Sequence, residues 1–527
     1  MLRLLRRPPP WLGALLLVVG VTGLLLPWLL APVIGDERYH YVAAPTRMDN
    51  SLFNVVTWTI HDIRPRMSHG RIAPVAVFLQ QVGYLLGMQL SFATGIPLTL
   101  VHGLVKVVLL LSAVGSFALL LRMTRRRDGE QLDRGVRAAA LLVFSVLLVL
   151  GVTATSPVRN GWTAYIVLCI GGISVMFLTG AASLWTLRVW PRATTVGKLA
   201  AAAAVFGLGA VVMLSYELHW AAVPFAVVLL AFAGSAVWKH RLALILSLSA
   251  GWAIAFIGTR MLLSRHDQEA QYAGTLLDLG GPVIPTAWLQ VANAIPGSGT
   301  GRVMDTVGEG LPEPQPFGGG GWLWALLTAV GFAVLFARAG ARMPDQVGPD
   351  RRGLLILAGA LVVSAGAVAT ITSVSAQSHE IIVSLGDTYR GTPWIWAALA
   401  AAATSLLMCL PRGSTRRRRA VVPLSVAVAT ALVGVLVWPT TVSAVQTIRA
   451  VDQYALWETA QAQLVSGSAE PLAETRRCQL AEQAAEWARG KGPYFGQFLP
   501  FYENAFARQW NRPWCATSGD TAAGTAR

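Results

Sequence analysis

The chain has 527 residues, of which 54% are hydrophobic and only 13% are charged. Soluble domains carry about 25% charged residues, so the composition excludes an ordinary soluble protein and predicts a polytopic membrane protein. The net charge of +16 does not indicate a nucleic-acid-binding surface, because the basic clusters sit at alternate helix ends, as in cytoplasmic membrane loops. These clusters lie within 122–127, 188–192, 239–241, 338–342, 351–352 and 412–419.

A basic segment with Arg3, Arg6 and Arg7 precedes the first apolar run, residues 11–33. Cations stay on the cytoplasmic side, so this helix is predicted to run from inside to outside. We interpret it as a retained helix rather than a removed signal peptide, because the run is long and no small-residue cleavage site precedes Gly35.

Apolar runs of about 20 residues, long enough to cross a bilayer, recur along the first 440 residues. Eleven alternating spans keep the N-terminus and the basic clusters inside and predict an all-α fold. The loops 34–96 and 264–320 and the tail 441–527 then lie outside. Abundant Ala, Arg and Gly suggest a GC-rich bacterial source, and hence the bacterial plasma membrane. The predicted spans are 11–33, 97–121, 135–154, 162–186, 197–215, 220–238, 242–263, 321–337, 353–373, 393–410 and 420–440.

Two apolar stretches within the outer loops are not counted as spans. Segment 72–92 contains Gln80, Gln81 and Gln89, and counting it as a span would reverse the side of the acids or arginines next to it. We therefore predict an amphipathic helix lying along the outer membrane interface. In the second loop, 283–295 is weakly apolar and is expected to dip toward the membrane, where irregular backbone must line a cavity or pack on protein.

The tail 441–527 is predicted to form a small extracytoplasmic helical domain. Residues 446–465 and 472–489 have helical spacing, and aromatic residues are frequent throughout the tail. Cys478 and Cys515 are candidates for one disulfide if the tail lies outside. The alternative is two free thiols.

The acids Asp36 and Glu37 follow the first span directly, at the start of the first outer loop. Such a carboxylate can act as a base toward an acceptor hydroxyl. Hard cations prefer carboxylate oxygens, so Asp36 is also a candidate ligand of a divalent cation, Mg²⁺ or Mn²⁺. Glu217, at the outer end of another span, is a candidate second acid, since acids near the membrane interior tend to face cavities. The alternatives without catalysis are that Asp36 and Glu37 form a hydrophilic stop after a helix and that Glu217 is a capping residue at the interface.

Several cations lie where the positive-inside rule does not expect them. Lys106, four residues after His102, shares a helix face with it inside a predicted span. Arg390 offers a planar fork that matches phosphate oxygens. The alternatives are a lysine that snorkels to the interface and arginines that pair with Asp267 or with lipid headgroups. Arg159, Arg260 and Arg265 are likewise predicted outside or near the outer boundary.

The order of five short motifs resembles the GT-C superfamily of polyprenyl-phosphate-dependent glycosyltransferases. That family has an acidic motif after helix one, a G-R-x-x-P stretch that opens a helix in the membrane plane, and further motifs at the outer ends of later helices. The resemblance covers about residues 10–440. The matching segments are Asp36-Glu37, Gly70-Arg71-Ile72-Ala73-Pro74, Thr155-Ser156-Pro157-Val158, Ser215-Tyr216-Glu217 and Asp387-Thr388-Tyr389-Arg390.

The resemblance implies a GT-C-like transmembrane domain, 1–440, that transfers a sugar from a polyprenyl phosphate with inversion. The expected acceptor is an envelope glycan, a lipid or an exported protein, and the expected partners are these substrates and membrane lipids, without nucleic acid. The acidic pair here is Asp-Glu followed by Arg38, where several branches have Asp-Asp. The residues expected to be catalytic are Asp36, Glu37 and Glu217. Those expected to bind the donor phosphate are Arg390, Lys106, Arg159 and Arg265. Those expected to bind the rest of the substrate are Tyr39, His40, Arg71 and Tyr389.

Two other functions are compatible with a chain of this composition. A transporter or lipid flippase would explain the many helices, Lys106 and Glu217, although no internal repeat is visible and the outer loops are long. A non-catalytic envelope assembly protein would use its aromatic tail to bind a partner.

Overall fold

In a computed structural model the chain is almost entirely helical, and the residues that it describes contain no β-strand. These described residues are 10–31, 33, 35–68, 70–124, 131–154, 166–232, 237–265, 277–296, 298, 321–341, 348–385, 391–409, 427–429, 431–435, 438, 442, 452–491 and 498–515.

The helices are numbered in chain order. They are α1 (Pro10–Leu29), α2 (Gly35–Arg47), α3 (Leu52–Ser68), α4 (Pro74–Thr94), α5 (Leu98–Met123), α6 (Arg134–Ala154), α7 (Ile166–Cys169), α8 (Gly171–Val189), α9 (Thr195–Ser215), α10 (Ala222–Phe232), α11 (Trp238–Leu263), α12 (Val283–Asn293), α13 (Gly321–Ala341), α14 (Gly348–Ser373), α15 (Ala376–Ile381), α16 (Thr392–Cys409), α17 (Asp452–Ser466), α18 (Pro471–Lys491) and α19 (Phe498–Trp510).

Within the described part of the chain, ten helices are long and apolar enough to cross a membrane, as expected of a multi-pass membrane protein. Nine of them match predicted spans. The tenth is α4, which the sequence had assigned to the membrane interface. In the region of the predicted span 220–238, the apolar helix is shorter than predicted and covers Glu217–Phe232. The last predicted span, 420–440, lies mostly outside the described residues.

Helices α1 and α13 run antiparallel and pack closely where glycine allows it. On α1, a Cβ at Gly20 would lie 2.4 Å from the backbone nitrogen of Thr328, and on α13 a Cβ at Gly331 would lie 2.3 Å from that of Leu17. Small residues let membrane helices approach until their backbones touch. This contact adds dispersion energy between helices, which have no hydrophobic driving force to associate in lipid. The result is a bundle whose helix ends alternate regularly.

One end of the bundle collects the sequence motifs, and we call it the motif end. It is formed by the last turns of α1, α9, α11 and α14 and the first turns of α5, α8 and α16. Gly103 of α5, for example, lies against the carbonyl of Leu29 at the end of α1. Arg122, Arg188 and Arg351 lie at the opposite helix ends, as the predicted alternation requires.

Helix α4 lies across the motif end. Its first residues follow Arg71, which contacts Glu217 after α9, and Gly83 in its middle lies against Val167 of α7. It ends at Gly95, whose left-handed backbone (φ 71°) turns the chain directly into α5. Both ends of α4 therefore stay at one end of the bundle, as an in-plane helix requires, and its position at the outer membrane interface stays a prediction.

The described part of the tail contains three helices, α17, α18 and α19, one more than predicted. Cys478 and Cys515 form a disulfide, which confirms the predicted pairing. Beside it, buried Arg477 donates to the carbonyl oxygens of Trp514 and Ser468, at 2.7 and 2.9 Å. The disulfide and this arginine together fasten the segment after α19 to α18.

Replacing Cys478 and Cys515 with serine is expected to lower the free energy of unfolding of the tail by about 3–4 kcal/mol, because the bridge closes a loop with a sequence separation of 37. Limited proteolysis of α17–α19 should reveal the loss. A matched control is Cys169→Ala, which removes a buried cysteine of the bundle that is not part of a disulfide. Equal protease resistance of the tail with and without the bridge would contradict this expectation.

Candidate functional site

A bidentate ion pair joins two of the sequence motifs at the motif end. Arg71, just before α4, donates through Nε and Nη2 to the two carboxylate oxygens of Glu217, at 2.9 and 2.8 Å. The Arg71 guanidinium also lies 4.9 Å from the ring centroid of Tyr216. Fork-to-fork geometry fixes both side chains, so the start of α4 is held against the end of α9.

This ion pair lines a cavity of about 180 Å³. The cavity is bounded by the segment before α4, the ends of α9, α11 and α14, and Leu277 of the second loop. Its side chains are mainly apolar, with Thr259, Thr372 and Ser375 supplying hydroxyls. An apolar cavity with a few converging charged and polar groups is the usual form of a small-molecule site.

Arg260, near the end of α11, is the second guanidinium in this cavity. It stacks 5.4 Å from the ring centroid of Phe256 and forms no ion pair with any residue that the structure describes. Because Arg71 is already matched by Glu217, Arg260 supplies the net positive charge of the cavity. From the sequence, Arg260 is an outer cation and, with Arg159 and Arg265, a candidate contributor to phosphate binding.

The wall formed by the second loop is fastened by polar contacts. Leu277 forms an isolated β-bridge with Ser375, and the Asp278 amide donates to the carbonyl of Val374 at 2.8 Å. His379 contacts the Asp278 carboxylate through Nδ1 at 3.1 Å and the Ser373 carbonyl through Nε2 at 2.7 Å. These contacts hold one side of the cavity against the end of α14.

A second polar cluster is buried beneath α2 and α4. Glu37 is fully buried and accepts a hydrogen bond from the Tyr84 hydroxyl at 3.1 Å, while Gln80 donates to that hydroxyl at 3.1 Å. Tyr41 contacts Nδ1 of His102 at 3.2 Å. Burial, and then the charge of Glu37, raise the pKa of Tyr41, so this phenol stays neutral.

Lys106 belongs to this cluster rather than to the cavity. It is fully buried, donates to the carbonyl of Trp28 at 2.8 Å and lies 4.9 Å from that ring's centroid. Glu37 and Lys106 are therefore both internal, and neither lines the cavity.

Tyr39 and His40, the residues on α2 predicted to bind substrate, contact other side chains of the protein. Tyr39 packs edge-on against Phe501 of α19, with ring centroids 4.6 Å apart, and Arg47 donates to its hydroxyl. His40 stacks on Tyr84 at 5.3 Å. The tail thus packs on α2, and Arg508 also pairs with Asp49.

Several predicted site residues lie outside the described residues. Arg159, Tyr389 and Arg390 are among them. Asp36 is part of α2 at the motif end, but its side chain is not described. Arg265 is exposed just beyond α11. Among the side chains that are described, no group of three or more His, Cys, Asp and Glu residues could hold a metal ion, and the divalent cation stays a prediction.

The arrangement brings Arg71, Arg260 and Glu217 to one cavity, with helix α2, which carries Asp36 and Glu37, at the same end of the bundle. It can bind an anion at Arg260, and Glu217 is the carboxylate that lines the cavity. Comparison of the chain with protein-family models, with curated proteins and with solved structures finds no match.

Proposed function

We propose that this protein is an inverting membrane glycosyltransferase of GT-C type, which transfers a sugar from a polyprenyl phosphate to a cell-envelope acceptor. One observation carries the proposal: Arg71 and Glu217, from two motifs 146 residues apart, form a bidentate pair in one cavity at the motif end. These are two of the motifs on which the resemblance rests. Because both motifs contribute to one cavity, a single functional site accounts for both of them.

In the proposed reaction, the oxygen of an acceptor hydroxyl attacks the anomeric carbon of the donor sugar. The bond from that carbon to the phosphate oxygen breaks, and its electron pair leaves with the polyprenyl phosphate. The hydroxyl proton passes to the Asp36 carboxylate as the new glycosidic bond forms. Attack opposite the leaving phosphate inverts the anomeric centre. The acceptor is an envelope glycan, a lipid or an exported protein.

Positive charge in the cavity would stabilise the departing phosphate. Arg260 is the best-placed described cation, because it lines the cavity and has no acidic partner among the described residues. A guanidinium fixed in a largely apolar cavity stabilises an anion more than it would in water. Arg159, Arg265 and Arg390 remain proposed contributors, whereas Lys106 is assigned to the buried cluster.

The buried cluster suggests a different role for Glu37 from the catalytic one first assigned to it. A fully buried carboxylate that accepts from Tyr84 has no access to an acceptor molecule. We assign Glu37 as a positioning residue that anchors α2, and with it the backbone of Asp36, to Tyr84 of α4.

The proposed orientation follows from the basic residues at the other end of the bundle. If these face the cytoplasm, the cavity, α4 and the tail lie on the outer face of a bacterial plasma membrane. Lipid-linked sugars made inside and presented in the outer leaflet would then reach the cavity without any nucleotide-binding element.

The direct test is transfer activity of the full chain in lipid nanodiscs. A panel of radiolabelled polyprenyl-phosphate sugars is incubated with envelope fractions, and labelled product is counted. Asp36→Asn is expected to lower the rate by about 10²–10⁴-fold, because the asparagine cannot take the hydroxyl proton. Glu380→Gln is the matched control, since Glu380 is an exposed acid of α15 at the same end of the bundle. Full transfer by Asp36→Asn would overturn the base assignment.

The second candidate is a transporter, favoured by the fully buried Glu37 and Lys106. Buried charges inside a membrane bundle often mark an ion or proton path. In that case substrate flux across a proteoliposome would require Glu37, and no labelled glycosidic product would form with any donor.

A further inference from the structure

Helix α12 buries its polar side chains and exposes apolar ones. Its polar residues Thr286, Gln290 and Asn293 are at most 2% exposed, whereas Ile284 and Trp288 are 83% and 71% exposed. A helix packed on a water-soluble surface has the opposite pattern, with apolar residues inside. The exposed side of α12 is therefore built for an apolar surrounding.

The buried polar side is fully used for fixing α12 to the bundle. Gln290 donates to the Ser373 hydroxyl at 2.9 Å and accepts from the Thr372 hydroxyl at 2.6 Å. Asn293 donates to the carbonyl of Ser384 at 3.1 Å. These bonds leave the apolar residues facing outward.

The flanks of α12 continue the apolar surface. Leu277 and Leu279 before it and Ile295 after it are 58%, 74% and 53% exposed, and Val383 and Leu385 are similarly exposed. Within residues 277–296 the single charged residue is Asp278, and its carboxylate is paired with His379. We call these exposed residues, with Ile284 and Trp288, the α12 apolar surface.

The level of α12 along the bundle fits the edge of a bilayer. It contacts Thr372 and Ser373, which close the candidate span Arg351–Ser373. The 23 residues of that span measure about 34 Å as a helix, against a hydrocarbon core of about 30 Å. The last turn of α14 therefore lies where hydrocarbon meets headgroups, a level at which tryptophan is enriched.

Helix α4, at the same end of the bundle, repeats the pattern. Gln80 and Gln81 are buried, while Leu79, Leu86 and Leu90 are 38–46% exposed. Two elements at one level that both present leucine, isoleucine or tryptophan outward indicate a continuous apolar environment. Because the described part of the chain contains ten helices long and apolar enough to cross a membrane, we take that environment to be the bilayer rather than a separate partner.

We infer that the α12 apolar surface is embedded in the bilayer and forms the lipid-side wall of the Arg71–Glu217 cavity, past which a lipid-borne ligand enters; the entry step rests on the proposed function. Leu277 connects the two features, because it is exposed on the apolar surface and also lines the cavity. The ligand's chain stays in lipid while its phosphate reaches Arg260.

The embedding is tested without any activity assay. A bimane label on Ile284→Cys or Trp288→Cys, in nanodiscs, is quenched with brominated lipid and with aqueous iodide. Leu246→Cys, on the exposed side of α11, is the lipid reference, and Glu482→Cys in α18 is the water reference. The expected result is lipid quenching equal to that at Leu246, with loss of the iodide quenching seen at Glu482. Quenching by iodide alone, or by neither agent as in a protein-covered interface, would overturn the embedding.

The entry step is tested by photocrosslinking at position 277. The probe is radiolabelled polyprenyl phosphate, and a photoreactive phenylalanine analogue replaces Leu277 in one protein and Leu246 in the control. Stronger labelling at 277, lost on competition with unlabelled polyprenyl phosphate, supports entry past Leu277. Equal labelling at both positions would overturn the entry step while leaving the embedding intact. If specific labelling persists but no donor supports transfer, the proposed function fails and the lipid entry stands.

Discussion

If the fully buried Lys106 and Glu37 compensate each other's charge, replacing Lys106 with methionine is expected to lower the free energy of unfolding by about 3–5 kcal/mol. The lost hydrogen bond to the carbonyl of Trp28 acts in the same direction. Thermal unfolding in nanodiscs, followed by tryptophan fluorescence, measures the effect. Lys239→Met is the matched control, since Lys239 is exposed at the opposite end of the bundle.

The double variant Lys106→Met with Glu37→Gln separates charge compensation from packing. When both charges are removed, no buried ion is left uncompensated, so most of the lost stability should return. A double variant as unstable as Lys106→Met alone would show that the ammonium acts through Trp28 and not through Glu37.

Breaking the Arg71–Glu217 pair is expected to affect activity far more than stability. Both side chains are partly exposed, at 21% and 33%, so the pair contributes at most about 1 kcal/mol to folding. Arg71→Gln and Glu217→Gln should each lower transfer by about 10²-fold, because each loses the partner that fixes the cavity wall. The double variant should be no worse than either single one.

The control for this cycle is another ion pair near the motif end. Arg66 and Asp62 pair within α3, one helical turn apart, and Arg66→Gln should leave transfer unchanged. If the effects of Arg71→Gln and Glu217→Gln instead multiply in the double variant, the two residues act separately and the joint site is wrong.

Hydropathy predicts most of the bundle, because a membrane-spanning helix is a long run of apolar residues and such a run can be recognised in the sequence itself. Spans such as 197–215 and 321–337 agree with α9 and α13 to within a few residues. The predicted span 220–238 is too long, because a turn of 3₁₀ helix over Glu217–Ala221 and the end of α10 at Phe232 leave no mark on averaged hydropathy.

The contacts of the site are less accessible to sequence reasoning. The motifs could be read one by one, but the pairing of Arg71 with Glu217 depends on how α4 lies across the ends of other helices. The sequence marks α4 as amphipathic through Gln80 and Gln81, yet does not reveal that both side chains are buried and that Gln80 donates to the Tyr84 hydroxyl. Whether a polar helix face is buried depends on the other helices that pack against it, and the sequence of the helix does not show these.

The most direct test of the account is a structure in nanodiscs with a non-transferable polyprenyl-phosphonate sugar bound. The account predicts the phosphonate in the Arg71–Glu217 cavity, about 3 Å from the guanidinium of Arg260, with its lipid chain leaving past Leu277. A ligand bound inside the bundle beside Glu37 and Lys106, with the cavity empty, would contradict the account and favour transport.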